Sequence, residues 1–128
     1  MTKLDILIIQ LEKAVSRLDE VLAQPKTEII RDSAIQRFEF SLDLSWKAIK
    51  ARLEEEKGVI CTSPKDCFKE AYHQGFIDYD QAWLDLVDAR NQTVHTYNEE
   101  IAEEIFAKLP KAKELFEKLL VFLRVEKK

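Results

Sequence analysis

Apolar residues recur along this chain at spacings of three and four. Leu4, Ile8, Leu11, Val15, Leu18 and Leu22 form one such stripe, an a/d seam that predicts an amphipathic helix packed against a neighbour. Pro25 ends it. A longer stripe of Ile35, Phe38, Leu42, Trp46, Ile49 and Leu53 predicts a second helix, capped by Thr27 and running to about Lys57. Phe40, Leu44 and Ala48 widen its apolar face, so this helix is expected to touch more than one neighbour. Gly58 closes it as a left-handed cap.

The stretch GVICTSPKD, Gly58 to Asp66, reads as a connector. Within it, Ser63 precedes Pro64 and Asp66 follows in the first turn, a strong helix-start signal. The short helix so begun should reach about His73 and end at Gly75. Asp78, with Gln81 three residues on, resembles a capping box for a fourth helix that carries Ala82, Trp83, Leu86 and Val87 inward. TVHTY is rich in β-branched residues, which weaken a helix. The fourth helix should therefore decay around Val94 to Thr96, and the chain should restart at Asn98 with Glu99 and Glu100 in the next first turn. The last stripe runs from Ile101, Ile105, Phe106 and Leu109 to Leu115, Phe116, Leu119 and Phe122, and Pro110 inside it should kink or split it. The pattern shows no repeat and no strand signal. It predicts an all-α chain: one domain over residues 1–128, an up-and-down bundle of four main helices plus a short one.

Composition sharpens this picture. The chain of 128 residues has two glycines and three prolines, is 46% apolar and 34% charged, and carries a net charge of −4. That charge argues against a protein that coats nucleic acid non-specifically, though not against a local anion site. Cys61 and Cys67, spaced C-x5-C, match neither a zinc knuckle nor a CxxC redox motif and read as two buried or incidental thiols, consistent with a reducing cytoplasm. The N-terminus mixes Lys3, Asp5 and Glu12 with apolar residues and is no signal peptide, and the apolar runs are too short for a membrane span.

Candidate chemistry sits in RNQTVHTY. Arg90 lies on or beside the inward stripe of Trp83, Leu86, Val87 and Val94. A guanidinium there needs a partner or a cleft; its stem can pack inward while its head reaches solvent or a carboxylate such as Asp85 or Asp88. His95 near a helix end can be an inert surface residue or a proton-handling group. On a regular helix Arg90 and His95 stand about 140° apart, whereas Asn91 and His95 share a face. One shared site requires the helix to give out before His95 or a second subunit to supply the missing group. His73 and His95 are too far apart in sequence, and too poorly accompanied, for a dedicated metal site. Neither a phosphate-cradling glycine loop nor a nucleophile elbow is present, and no cofactor is expected.

RNQTVHTY resembles the signature of the HEPN superfamily of small helical proteins: Arg, a polar residue, then His four to six residues on. Its extended form, Arg-x4-His-x-Tyr, resembles the HepT-type toxins, which work beside a minimal nucleotidyltransferase antitoxin. AIQRFEFSLDLSWKAIK, Ala34 to Lys50, is similar to the long second helix of the nucleotidyltransferase substrate-binding proteins. The resemblance covers nearly the whole chain, and Pro110 departs from it by interrupting a helix that is often continuous. It implies a HEPN-like homodimer with two motifs facing a cleft, a nucleotidyltransferase partner, and metal-independent RNA cleavage by Arg90 and His95. Asn91 would orient or bind, and Tyr97 would be the site at which the partner adds AMP. It equally admits a non-catalytic subunit that binds a nucleotide or other phosphate-bearing substrate in its dimer cleft. A third reading is a helical dimer whose motif only stabilises the interface.

Overall fold

The computed structural model describes residues 1–125. Five α-helices follow one another: α1 Lys3–Leu22, α2 Glu28–Lys57, α3 Pro64–His73, α4 Ala82–Gln92 and α5 Glu99–Arg124. A 3-10 turn, Thr93–His95, joins α4 to α5. The three long helices pack on one another, and the short pair α3 and α4 lies against α2 and α5. The described residues contain no strand, and none of their helices is long and apolar enough to cross a membrane.

Local chemistry accounts for the helix ends. Thr27 accepts a hydrogen bond from the Ile30 amide, and Ser63 accepts one from the Asp66 amide with Pro64 in the first turn. Gly58 closes α2 at φ 63°, a left-handed conformation that a side chain would strain. On α1, Leu4, Leu11, Val15 and Leu18 are buried as the seam requires. Leu7 and Val21 take the places expected of Ile8 and Leu22, which are only half-buried, because the helix faces both α2 and α5. On α2 the stripe from Ile35 to Leu53 is buried apart from half-buried Trp46. Phe40 does not widen the core: it is 52% exposed. The buried positions beside the stripe are small instead, Ala34, Ser41, Ser45 and Ala48. The two serines donate to the carbonyls of Arg37 and Ser41 and so leave no unmet polar group.

Aromatic rings tie the helices together. Phe38 of α2 meets Phe116 of α5 at 6.2 Å between centroids. Phe116 meets Trp83 of α4 at 5.9 Å, and Trp83 stacks on Phe68 of α3 at 4.5 Å. All four rings are buried, so each carries a large share of the apolar burial that holds its helix in place. At the far end of α2, buried Arg52 pairs with Glu56 and lies over the Phe122 ring at 4.6 Å. Burial lowers its pKa from the ordinary arginine value.

Three expectations are corrected. Cys61 and Cys67 are buried, but as a disulfide rather than as thiols. The Ser63-capped start of α3 turns the chain back on itself and brings the two Cα atoms to 5.0 Å, within bridging range. The pair therefore lends no support to a reducing compartment. Asp78 and Gln81 do not form a capping box. Asp80 accepts from the Ala82 amide at 2.9 Å and from Lys111 at 3.1 Å, and these two bonds lower its carboxyl pKa. Asp80 thus ties the new helix to α5, and α4 starts later than expected, at Ala82. Finally, Pro110 does not split α5, which is helical through it. Pro110 is exposed while Ile105, Leu109 and Ala112 are buried. The proline ring thus sits on the exposed face, and the packed stripe continues unbroken.

Because Pro110 contributes no core contact, Pro110→Ala should stabilise the protein. The gain is bounded by the helix-interior penalty of proline, about 3 kcal/mol. Chemical denaturation with an unchanged m-value checks this; a lowered midpoint would show that the proline is needed where it stands.

Candidate functional site

Thr93 ends α4 with its own hydroxyl. That oxygen lies 2.8 Å from the Arg90 carbonyl and 3.3 Å from a Glu39 carboxylate oxygen, and it can donate its single proton to either. Thr96 repeats the device one turn later, donating its hydroxyl to the Thr93 carbonyl at 3.0 Å. Each hydroxyl reaches a carbonyl that a continuing helix would bond to an amide, which favours a tighter turn. Asn98 then caps α5 by accepting from the Ile101 amide at 3.1 Å. The break and restart fall where the β-branched run predicts them.

Arg90 resolves its awkward position through α2. Its Nε and Nη2 donate to the two oxygens of Asp43 at 2.9 and 3.0 Å, a planar fork on a carboxylate. Nη2 also stands 3.2 Å from Glu39. Nη1 has only the Thr93 hydroxyl, at 3.5 Å. The Asp43 hydrogen bonds raise the arginine's pKa, outweighing its partial burial. The partners are thus Asp43 and Glu39 rather than Asp85 or Asp88; Asp88 is engaged with Lys65 at 2.7 Å. Glu39 and Asp43 are four residues apart on α2 and share a face.

Beside this pair lies a cleft of about 350 Å³ lined by Arg90, Asn91, Asp43, Trp46, Lys47 and Pro64, among others. Asn91 is exposed at its wall. His95 and Tyr97 come together on the turn: the His95 Nδ1 is 3.3 Å from the Tyr97 hydroxyl, and the rings meet edge-on at 5.9 Å. Tyr97 is 82% exposed, open to an incoming macromolecule. No hydrogen bond or ring contact joins Arg90 to His95. The early end of α4 does not rotate them together, since two α steps and three 3-10 steps leave them about 160° apart. Sequence reasoning missed Glu39, Asp43, Trp46 and Lys47 as parts of this site. The signal open to it was two acids at an i, i+4 spacing beside an apolar stripe.

A clamp between a buried arginine and two exposed carboxylates fixes the far side of the turn. Arg31, 3% exposed, donates to Glu99 at 2.6 Å and to Glu103 at 3.1 Å, joining the start of α2 to the first two turns of α5. The Glu99 carboxyl is held below its ordinary range mainly by Arg31, and the Glu103 carboxyl by Lys26 and then Arg31. The clamp sets where α5 departs from Tyr97.

A family model described as nucleotidyltransferase substrate binding protein like matches residues 7–124. The chain is 31% identical over 115 residues to a protein of Haemophilus influenzae named probable ribonuclease HepT, covering 83% of this chain and 79% of that one. Among solved structures, a Thermus thermophilus protein is similar with a TM-score of 0.84 and 39% identity, covering 89% of this chain and 98% of that one. HI0074 of Haemophilus influenzae is similar with a TM-score of 0.70 and 30% identity, over 94% and 96% of the respective chains; its structure was described as revealing the fold of a substrate binding domain of a nucleotidyltransferase.

Depressed carboxyl pKa values at Glu99 and Glu103 mean stability that is present above the ordinary glutamate value of 4.5 and lost as pH falls below it. Arg31→Met should therefore lower the thermal midpoint at neutral pH, and the gap from wild type should narrow as the pH drops through 4.5. Melting curves across pH test this. A gap independent of pH would assign the loss to packing alone.

Proposed function

The chain belongs to the family described as nucleotidyltransferase substrate binding protein like, and we propose that it is the helical partner of a nucleotidyltransferase and a HepT-like, metal-independent ribonuclease. One observation carries the nuclease reading: the His95 imidazole and the Tyr97 hydroxyl, 3.3 Å apart, are exposed on a turn that directly follows the helix bearing Arg90 and Asn91. The likeness to the probable ribonuclease adds to it.

In this mechanism a ribose 2′-hydroxyl attacks the adjacent phosphorus. Its proton goes to an imidazole, the bond from phosphorus to the 5′-oxygen breaks, and that oxygen leaves with a proton. The products are a 2′,3′-cyclic phosphate and a 5′-hydroxyl. His95 serves as base or acid. In a homodimer with facing motifs, one His95 takes each part, which meets the angular separation of Arg90 and His95 within a single chain. Arg90 offers its Nη1 edge to the phosphate oxygens, since Asp43 and Glu39 hold the remainder of its fork. Asn91 orients the arginine or the phosphate from the cleft wall. AMP added to the Tyr97 hydroxyl would place bulk and negative charge beside His95 and block an anionic substrate without unfolding anything. RNA as substrate would put the protein in the cytoplasm and, with its partner, in a toxin–antitoxin pair.

A second reading is favoured by the pairing of Arg90. With its guanidinium already neutralised by α2, the cleft of Asn91, Trp46 and Lys47 can hold a nucleotide or other phosphate-bearing substrate for the partner without cutting it.

Expressed without its partner, the wild type should arrest growth, and Arg90→Ala or His95→Ala should relieve that arrest while remaining folded. A wild type that is harmless and inactive on an RNA panel sinks the nuclease reading and leaves the binding one. Incubation with the nucleotidyltransferase and ATP should add the mass of AMP to Tyr97. A gain that persists in Tyr97→Phe, or none at all, removes the silencing step.

A further inference from the structure

We propose that the groove between α1 and α2 is a track for single-stranded RNA, in which Lys13, Arg17, Arg37 and Lys47 hold phosphates and Phe40 stacks on a base. The groove encloses about 770 Å³ and is lined by these residues together with Glu20, Asp43 and Leu44, among others.

Charge is the first argument. The chain as a whole is acidic, at −4, yet four cations line this one groove. Among the described residues none of the four makes an ion pair, and what sets them apart is that all four line one groove. Arg37 spends one donor on the Arg17 carbonyl at 2.7 Å, which holds its guanidinium over α1. Of the two acids in the lining, Asp43 is already neutralised by Arg90. With Asp43 paired, four cations face Glu20 alone, and the groove is net positive, a surface that attracts a polyanion.

Phe40 is the second argument. The residue is 52% exposed in the middle of that cation set and is not part of the core. A solvated aromatic among phosphate-binding cations is the arrangement by which proteins hold unpaired bases. A duplex keeps its bases stacked inside and offers the ring nothing. From Arg37 to Lys47 the helix rises about 15 Å, enough for several nucleotides.

Continuity is the third. Asp43 and Lys47 line both this groove and the cleft of Arg90 and Asn91. A strand lying in the groove is delivered to that cleft. The proposal rests on the ribonuclease reading only for what happens at that end; the affinity of the track does not depend on it.

The test uses His95→Ala protein, so that bound RNA stays intact, and a fluorescent unstructured RNA of roughly a dozen nucleotides. Anisotropy titrations over a range of salt should give a log–log slope of about −2.8 for four phosphate contacts, at about −0.7 each. Lys13→Gln with Arg17→Gln should weaken binding and flatten the slope by about 1.4. Phe40→Leu should weaken binding about fivefold or more with the slope unchanged. No binding, or variants that bind like the parent, would overturn the proposal. So would groove variants that keep RNA affinity but lose the nucleotidyltransferase or their oligomeric state, since a protein then covers the groove. If RNA binds with these sensitivities but the wild-type protein never cuts it, the track stands and only the ribonuclease reading falls.

Discussion

The fork of Arg90 on Asp43 is the contact on which the site depends. An arginine four residues after Leu86 and three after Val87 points toward the interior, and an unpaired guanidinium there would be costly. α2 answers with two carboxylates one turn apart, Glu39 and Asp43. The pairing draws the end of α4 onto α2 and forms the cleft in which Asn91, Trp46 and Lys47 meet. It also decides what Arg90 has left to give. Of its donors, those on Nε and Nη2 are committed, and the Nη1 edge is the part that an incoming phosphate can take. A planar, permanently charged group held in this way is oriented before any substrate arrives, which is the condition under which it stabilises developing charge without reorganising.

The turn after α4 is built on the same economy of local bonds. Thr93 and Thr96 place their hydroxyls against main-chain carbonyls, and Asn98 and the Arg31 clamp start α5 at a defined point. His95 and Tyr97 are presented outward on a short segment fixed at both ends. Because a helix and a 3-10 turn still leave Arg90 and His95 on different sides, a chemistry that needs both on one phosphodiester draws them from two copies of the motif or from a bent substrate. The geometry of one chain therefore bears on the assembly as well as on the residues.

What can be read in the sequence is local. Caps at Thr27, Ser63 and Asn98, the left-handed Gly58, and the break expected around Val94 to Thr96, which begins one residue earlier at Thr93, each depend on residues within a turn of one another, and each appears in the structure. What cannot be read is set by distant neighbours. The partners of Arg90 lie on another helix, Asp43 47 positions away, while nearer acids compete for the assignment. Asp80 prevails over Asp78 because Lys111 on α5 stands within reach of it. On backbone chemistry alone Pro110 is a breaker, whereas its exposure decides whether the lost hydrogen bond matters. Hydrophobicity assigns Phe40 to the core; the small residues of α2 fill that role, and the ring is left on the surface.

That displaced phenylalanine links the fold to the function. Phe40 adds nothing to the core, and it stands among four cations that make no ion pair among the described residues. Both features become intelligible if the surface meets an extended anion with flat, unpaired groups. If the groove holds RNA, that property serves a nuclease directly, whereas a subunit that presents a single nucleotide needs only the cleft of Asn91, Trp46 and Lys47. On the proposed reading, the difference between the two roles reduces to whether the imidazole exposed beside Tyr97 reaches a phosphodiester held at the Arg90 cleft.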